Sequence, residues 1–108
     1  MTQLANNVQL IGNAGMAPEI KTFEKDRKMA RFSLATNEYY YNQKGERVDN
    51  TQWHNLVAWG KTAEIIEKIV TKGKELAVSG KLVNRSWDDK DGNKRYITEV
   101  SVYQIHAF

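Results

Sequence analysis

The chain has 108 residues, with 16 lysines and arginines against 13 aspartates and glutamates and a net charge of +3. A chain of this length forms one domain, residues 1–108, and its mild positive charge permits a polyanionic partner without requiring one. The absence of cysteine excludes disulfides, thiolate metal sites and thiol nucleophiles. No apolar run is long enough for a membrane-spanning helix and the first residues lack the order of a signal peptide, so we expect a cytoplasmic protein without membrane contact.

Apolar and polar residues alternate with a period of two along most of the chain, which predicts a small sheet or barrel. The polar segment 38–50, which carries Gly45, is typical of a long loop or a hairpin with its tip near residues 43–46. Asp91 and Gly92 predict a tight turn between the last two strands. The predicted strands cover residues 8–11 with a continuation after a bend at 19–23, then 30–36, 52–59, 76–87 and 96–105.

One helix is predicted over residues 62–72, where Ala63, Ile66 and Val70 form an apolar stripe and Thr62 is a suitable N-cap. The resulting order is strand, strand, strand, helix, strand, strand. This order predicts an all-β fold, a five-stranded Greek-key barrel of the OB type with the helix between strands three and four. Such barrels bind oligonucleotides or oligosaccharides on strands two and three and the adjoining loops.

The third predicted strand carries two tryptophans on one side. Trp53 and Trp59 point away from the side that holds His54, Leu56 and Ala58. If Leu56 and Ala58 face the core, the two indoles are exposed, roughly 20 Å apart along an extended strand, and suited to stacking on separate bases. A second core or a subunit contact is the alternative interpretation.

Two other aromatic groups lie near predicted strand ends. Trp87 precedes an acidic turn, where it either covers the edge of the sheet or offers a further stacking surface. Tyr39, Tyr40 and Tyr41 cannot all face inward, because neighbouring residues of an extended chain point to opposite sides. At least one of these tyrosines is therefore expected to be accessible.

Basic residues are unevenly distributed along the chain: residues 71–85 hold four lysines and arginines against the single Glu75. Such an arrangement favours phosphate contacts along a nucleic-acid strand, although a solvated surface is the alternative for any single lysine. The candidates for phosphate contact are Arg31, Lys61, Lys72, Lys74, Lys81 and Arg85.

The residues offer little support for an enzyme. Asp88, Asp89 and Asp91 lack the spacing and the closing glutamate of a calcium loop, and His54 and His106 have no evident catalytic partner. We therefore expect no catalytic residues, no metal and no cofactor. A small metal-dependent nuclease that uses these aspartates or His54 is the enzyme alternative.

Several segments resemble the bacterial single-stranded DNA-binding proteins, and the resemblance extends over nearly the whole chain. It is carried by the pair Trp53-His54 within residues 51–61, by residues 34–36, and by Trp87 with the segment 91–96. The resemblance implies an OB-fold that forms a homotetramer, with His54 at the subunit interface. It also implies base stacking on Trp53, Trp59, Trp87 and Tyr40, where Trp59 replaces the phenylalanine usual in the family and Tyr40 the tryptophan of many members.

The expected function is sequence-independent binding and protection of single-stranded DNA in replication, recombination and repair, at the bacterial nucleoid. The family's acidic tail, which recruits replication and repair proteins, is absent after Phe108. The resemblance therefore leaves open whether this chain binds such partners. A core fragment, a short member from a mobile element or phage, and a protein that works without the tail are the three explanations considered. The alternative function is a dimeric adaptor of the primosomal replication protein type.

Overall fold

The structure, a computed structural model, describes residues 4–108. Its single α-helix within that part of the chain, α1, is Gly60–Ile69, and a short 3₁₀ turn covers Glu24–Asp26. The strands are β1 Val8–Ala14, β2 Glu19–Phe23, β3 Arg27–Tyr41, β4 Arg47–Trp59, β5 Glu75–Asp88 and β6 Lys94–Ala107.

The strands form a closed barrel. Their order is β1-β5-β6-β4-β3-β2, and a further pairing of β1 with β3 closes the sheet. All pairs are antiparallel except β4 with β6. Because β1 and β2 are the two halves of the predicted first strand, separated by residues 15–18, the barrel has the predicted five-stranded OB topology, which is confirmed.

The core fills the barrel and is closed at one end by the helix. Ala63, Ile66 and Val70 are buried, as the predicted stripe requires. The helix boundaries are wrong by two or three residues, because α1 begins at Gly60 and Val70 is its C-cap. Thr62 is not the N-cap: that position is Trp59, which makes no side-chain capping bond. Strand residues in the core include Phe32, Leu34, Leu56, Ala58, Leu76, Val78, Val100 and Val102.

The alternation predicted for β5 continues across a bulge in β6. Ser79 pairs with Gln104 and Gly80 with Val102, so the extra residue lies on β6. Leu82 pairs with Val100 and therefore lies on the core-facing side, although it is 48% exposed. Gly80 fits at this point because a Cβ on it would lie 2.3 Å from the carbonyl oxygen of Ser101. The close approach of the two backbones therefore requires glycine.

Two hairpin arms extend from the barrel. The β3–β4 arm is residues 37–51 and the β5–β6 arm is residues 84–98, and neither contains a buried residue. Segment 38–50 is thus a hairpin, one of its two predicted forms, with both strands longer than predicted. The arms widen the outer face of the barrel on which the predicted aromatics lie.

Candidate nucleic-acid interface

Trp53 is the most exposed of the three tryptophans, with 63% of its surface accessible. It lies on β4 opposite Ala35, and its ring lies against the connection between β1 and β2. A Cβ on Gly15 would come within 2.4 Å of the ring atom Cζ3, so only glycine leaves room for the indole. The backbone supports one part of the ring and leaves the remainder free to stack.

Trp59 lies in a small aromatic and basic group that the sequence did not reveal. The ring centroids of Trp59 and Phe23 are 5.9 Å apart with 31° between the ring planes, and the Arg27 guanidinium carbon is 4.6 Å from the indole centroid. Trp59 is still 40% exposed and Phe23 47%. Phe23 and Arg27 are therefore additional candidates for contact with a nucleic acid, and their positions opposite each other on β2 and β3 bring them to Trp59.

Trp87 lies on the β5–β6 arm and is 43% exposed. The guanidinium carbon of Arg85 lies 5.1 Å from its ring centroid, within the range of a cation–π contact. The side chain is thus held from one side by a cation on its own strand. Of its two predicted roles, a surface for stacking fits this exposure better than a cover for the sheet edge.

The three neighbouring tyrosines are all exposed, which confirms that at least one is accessible. The pairing of β3 with β4 runs without a shift from Met29 opposite Trp59 to Tyr41 opposite Arg47. By strand parity, Tyr39 and Tyr41 therefore share the face of Trp53, and Tyr40 lies on the other face of the arm. Arg47 covers Tyr39 at 4.3 Å from the ring centroid, and Tyr41 meets Tyr39 edge to face at 6.0 Å.

Arg31 and Arg85, two predicted phosphate contacts, meet at a buried carboxylate. Arg31 Nε donates to Glu99 Oε2 at 3.0 Å and Arg85 Nε donates to Oε1 at 2.9 Å. Burial raises the pKa of Glu99, but the hydrogen bonds and charges of the two arginines lower it more, so its pKa lies below the ordinary value. No local sequence pattern indicates this group, since Glu99 is separated from Arg31 by 68 residues.

The four predicted lysines make no ion pair within residues 4–108. The loop of residues 71–74 hydrogen-bonds to Ala14 through Gly73 and Lys74, next to the glycine that supports Trp53. Lys61 is in the first turn of α1, two residues after Trp59, and Lys81 pairs with Ser101 on β6. Cations thus accompany the aromatics, with Lys72 and Lys74 in the loop that follows α1.

His54 lies on the side of β4 that faces the barrel, as predicted, and is half-buried. Its Nε2 and the Thr36 Oγ1 share a hydrogen bond of 2.9 Å. The interface role implied by the resemblance stays a prediction.

Asp89, one of the aspartates considered for a metal site, caps the turn of the β5–β6 arm. Its Oδ1 accepts the backbone N–H groups of Asp91 and Asn93 at 2.9 Å, and its Oδ2 accepts Arg95 Nε at 2.8 Å. These bonds, that from Asn93 foremost, lower the pKa of Asp89. Residues 4–108 hold no cluster of three or more potential metal ligands and no helix able to cross a membrane.

The Single-strand binding protein family matches residues 5–108. The chain belongs to this family. Single-stranded DNA-binding proteins of Chlorobaculum tepidum and Bacteroides thetaiotaomicron are 40% and 43% identical to it over 93% and 90% of the chain. A third, from Xylella fastidiosa, is 38% identical over 93% of the chain and 74% of its own length. The chain spans 62% of the length of each of the first two relatives.

Solved structures of the family share the fold. A Plasmodium falciparum SSB in complex with ssDNA superposes with a TM-score of 0.87 at 31% identity, covering 95% of this chain and 94% of that one. A deletion mutant of the single-stranded DNA binding protein from Thermus aquaticus superposes with a TM-score of 0.82 at 25% identity, covering 95% of this chain and 50% of that one. The resemblance drawn from the sequence is therefore confirmed, and the family is one of non-enzymatic binding proteins.

Proposed function

We propose that this chain binds single-stranded DNA without sequence preference and protects exposed strands during replication, recombination and repair. The observation that carries the proposal is the exposure of Trp53, Trp59 and Trp87 on the outer face, at 63%, 40% and 43%. Indoles normally seek the core or an interface, so three exposed ones indicate a binding surface. The related Plasmodium falciparum protein, of nearly the same extent, is in complex with ssDNA.

Stacking explains how such a surface binds any sequence. Every base presents a flat π-face, and each stacked base contributes about 1–3 kcal/mol regardless of its identity. The lysines that form no ion pair in the part of the chain that the structure describes, Lys61, Lys72, Lys74 and Lys81, neutralise phosphates between the stacked bases. Tyr40 is retained as a candidate stacking residue, although Tyr39 and Tyr41 lie on the face of Trp53.

We propose a homotetramer as the working assembly, with the half-buried His54 near a subunit contact and the bacterial nucleoid as the site of action. Exposed apolar residues away from the aromatic face, such as Ile11 on β1 at 62%, support an assembly between copies. Light scattering tests it: a tetramer is expected, and a stable dimer would revive the primosomal adaptor, which the family match and the DNA-bound relative do not favour.

The test of DNA binding is a titration with a thymidine homopolymer, followed by tryptophan fluorescence at several salt concentrations. Strong quenching is expected, and the affinity should fall as salt rises because lysines that contact phosphates displace counterions from the DNA. Absence of quenching and of binding at low salt would refute the proposal. Intact labelled DNA after prolonged incubation with magnesium and manganese would exclude the nuclease.

Trp53→Ala tests the leading stacking residue. A loss of about 1–3 kcal/mol in binding free energy is expected, measured by anisotropy of a labelled oligonucleotide so that the lost indole does not affect the signal. Trp53→Phe, which keeps an aromatic ring, should retain most of the affinity. An alanine variant with unchanged affinity and unchanged mass would remove Trp53 from the site.

A further inference from the structure

Glu99 is the one charged residue that is buried among residues 4–108, with 2% of its side chain exposed. It lies on the outer face of β6, between the strands that carry Trp53 and Trp87. A buried carboxylate is tolerated only when partners compensate for its lost hydration. Because burying a charge at this position is costly, we expect Glu99 to have a role in the proposed binding surface beyond packing.

The partners reach Glu99 from two sides of the sheet. Arg85 extends from β5, the strand next to β6, whereas Arg31 extends from β3 across the intervening strand β4. Val57, the partner of Arg31 on β4, is on the same outer face and is only 4% exposed. Arg31 is thus positioned to pass over Val57, and one carboxylate brings together two cations that would otherwise repel each other.

The hydrogen-bond pattern leaves part of each guanidinium group available. Both arginines use Nε toward the carboxylate, and Arg31 adds a longer contact of 3.4 Å from Nη2. Within residues 4–108, the two terminal nitrogens of Arg85 and Nη1 of Arg31 have no hydrogen-bond acceptor. With 30% and 45% of their side chains exposed, Arg31 and Arg85 can present these donors to a ligand.

A pocket opens at this group. Asn55 and Ser33 line it together with the two arginines and Glu99, and Glu19 on β2 contributes a second carboxylate at the exposed rim. The four charged side chains sum to zero, so net attraction explains little of any binding here. The pocket would instead bind an anion through the guanidinium N–H groups, whose positions are fixed by the bonds to Glu99.

We propose that Arg31 and Arg85 form a phosphate subsite for the DNA backbone between Trp53 and Trp87, and that Glu99 is its positioning residue. Ser33 lies against Gly15 where Trp53 packs, and Arg85 contacts Trp87, so the subsite adjoins both stacking surfaces. The inference rests on the proposed binding of single-stranded DNA and specifies how one phosphodiester is held.

The test compares two neutralising substitutions at the same pocket, Glu99→Gln and Glu19→Gln, in binding a labelled thymidine oligonucleotide over a range of salt. Both raise the net charge by one, so a purely electrostatic pocket predicts tighter binding for both. The subsite predicts different responses. Glu19→Gln should bind as tightly as the original chain or more tightly, whereas Glu99→Gln should bind about tenfold more weakly, the scale of one lost charge-assisted bond.

The dependence of affinity on salt distinguishes the loss of a positioned phosphate contact from a general loss of stability. Loss of one phosphate contact makes the slope of log affinity against log salt shallower by about 0.7 for a single strand. The inference is overturned if the Glu99→Gln variant binds as tightly as the original chain, or if its affinity falls without a change in the slope against salt. Failure of the unsubstituted chain to bind would instead refute the proposed function.

Arg85→Lys provides a second route if Glu99→Gln does not fold, which circular dichroism would show. The substitution keeps the charge but removes Nε and the fork of the guanidinium group. A severalfold loss of affinity is expected, and an affinity equal to that of the original chain would overturn the subsite.

Discussion

The two hairpin arms are built alike at both ends. Each has a five-residue turn in which a side-chain oxygen, from Asn42 in one and Asp89 in the other, accepts the backbone N–H groups two and four residues later. At the base of each, a threonine hydroxyl on one strand donates to an asparagine on the other, at 2.8 Å in the β3–β4 arm and 2.7 Å in the β5–β6 arm. The chain uses one hairpin design twice.

The arms differ in how their arginines are held. In the β5–β6 arm, Arg85 donates to a carboxylate that is 2% exposed, whereas Arg47 in the β3–β4 arm donates to Asp49, whose side chain is 74% exposed. A two-stranded hairpin without a buried face is only marginally stable. We therefore expect the β5–β6 arm to be held to the barrel more firmly than the β3–β4 arm.

The largest expected difference between the arms is in stability. Glu99→Ala removes the charge-assisted hydrogen bonds that hold Arg31 and Arg85, and should lower the free energy of unfolding by about 1.5–3 kcal/mol. Asp49→Ala removes an exposed partner and should cost less than about 1 kcal/mol. Urea denaturation measures both, and equal losses would show that the two arms are held alike.

The second difference concerns affinity for a labelled thymidine oligonucleotide. Trp87→Ala should weaken binding by about 1–3 kcal/mol, because the indole is already held by Arg85 and loses little freedom on stacking. Tyr39→Ala should cost less than about 1 kcal/mol, since the β3–β4 arm that carries Tyr39 is held by an exposed ion pair and must be ordered on binding. A larger loss at Tyr39 than at Trp87 would reverse the order of importance of the two arms.

The sequence predicted what depends on local pattern. Alternation predicted the strands and the exposed side of β4, and the geometry of an extended chain predicted that at least one of the three tyrosines is accessible. The helix start was missed because no side chain caps it and Trp59 occupies the position. The two turns share Gly at their fourth position, Gly45 and Gly92, a repeat that the sequence displays and that spacing alone could have revealed.

Long-range contacts could not be predicted in the same way. Glu99 follows the alternation of β6 like any outward polar residue, and its burial depends on side chains that arrive from β3 and β5. The group around Trp59 likewise depends on the register of β2 against β3, which places Phe23 opposite Arg27. A pattern read along one strand specifies a face, whereas the neighbours on that face are specified only by the closed barrel.

The smallest predicted effect tests the similarity of the arms. Gly45 and Gly92 have φ of +79° and +80°, and a Cβ added at either would meet no atom within 4 Å. Alanine at either position therefore carries only the backbone penalty of the left-handed conformation, about 1 kcal/mol, with no steric contribution to distinguish the arms. Gly45→Ala and Gly92→Ala should lower the free energy of unfolding equally in urea denaturation. If Gly92→Ala costs clearly more than this backbone penalty, the turn of the β5–β6 arm is coupled to the barrel; if Gly45→Ala costs clearly less than the penalty, the β3–β4 arm opens without unfolding the rest.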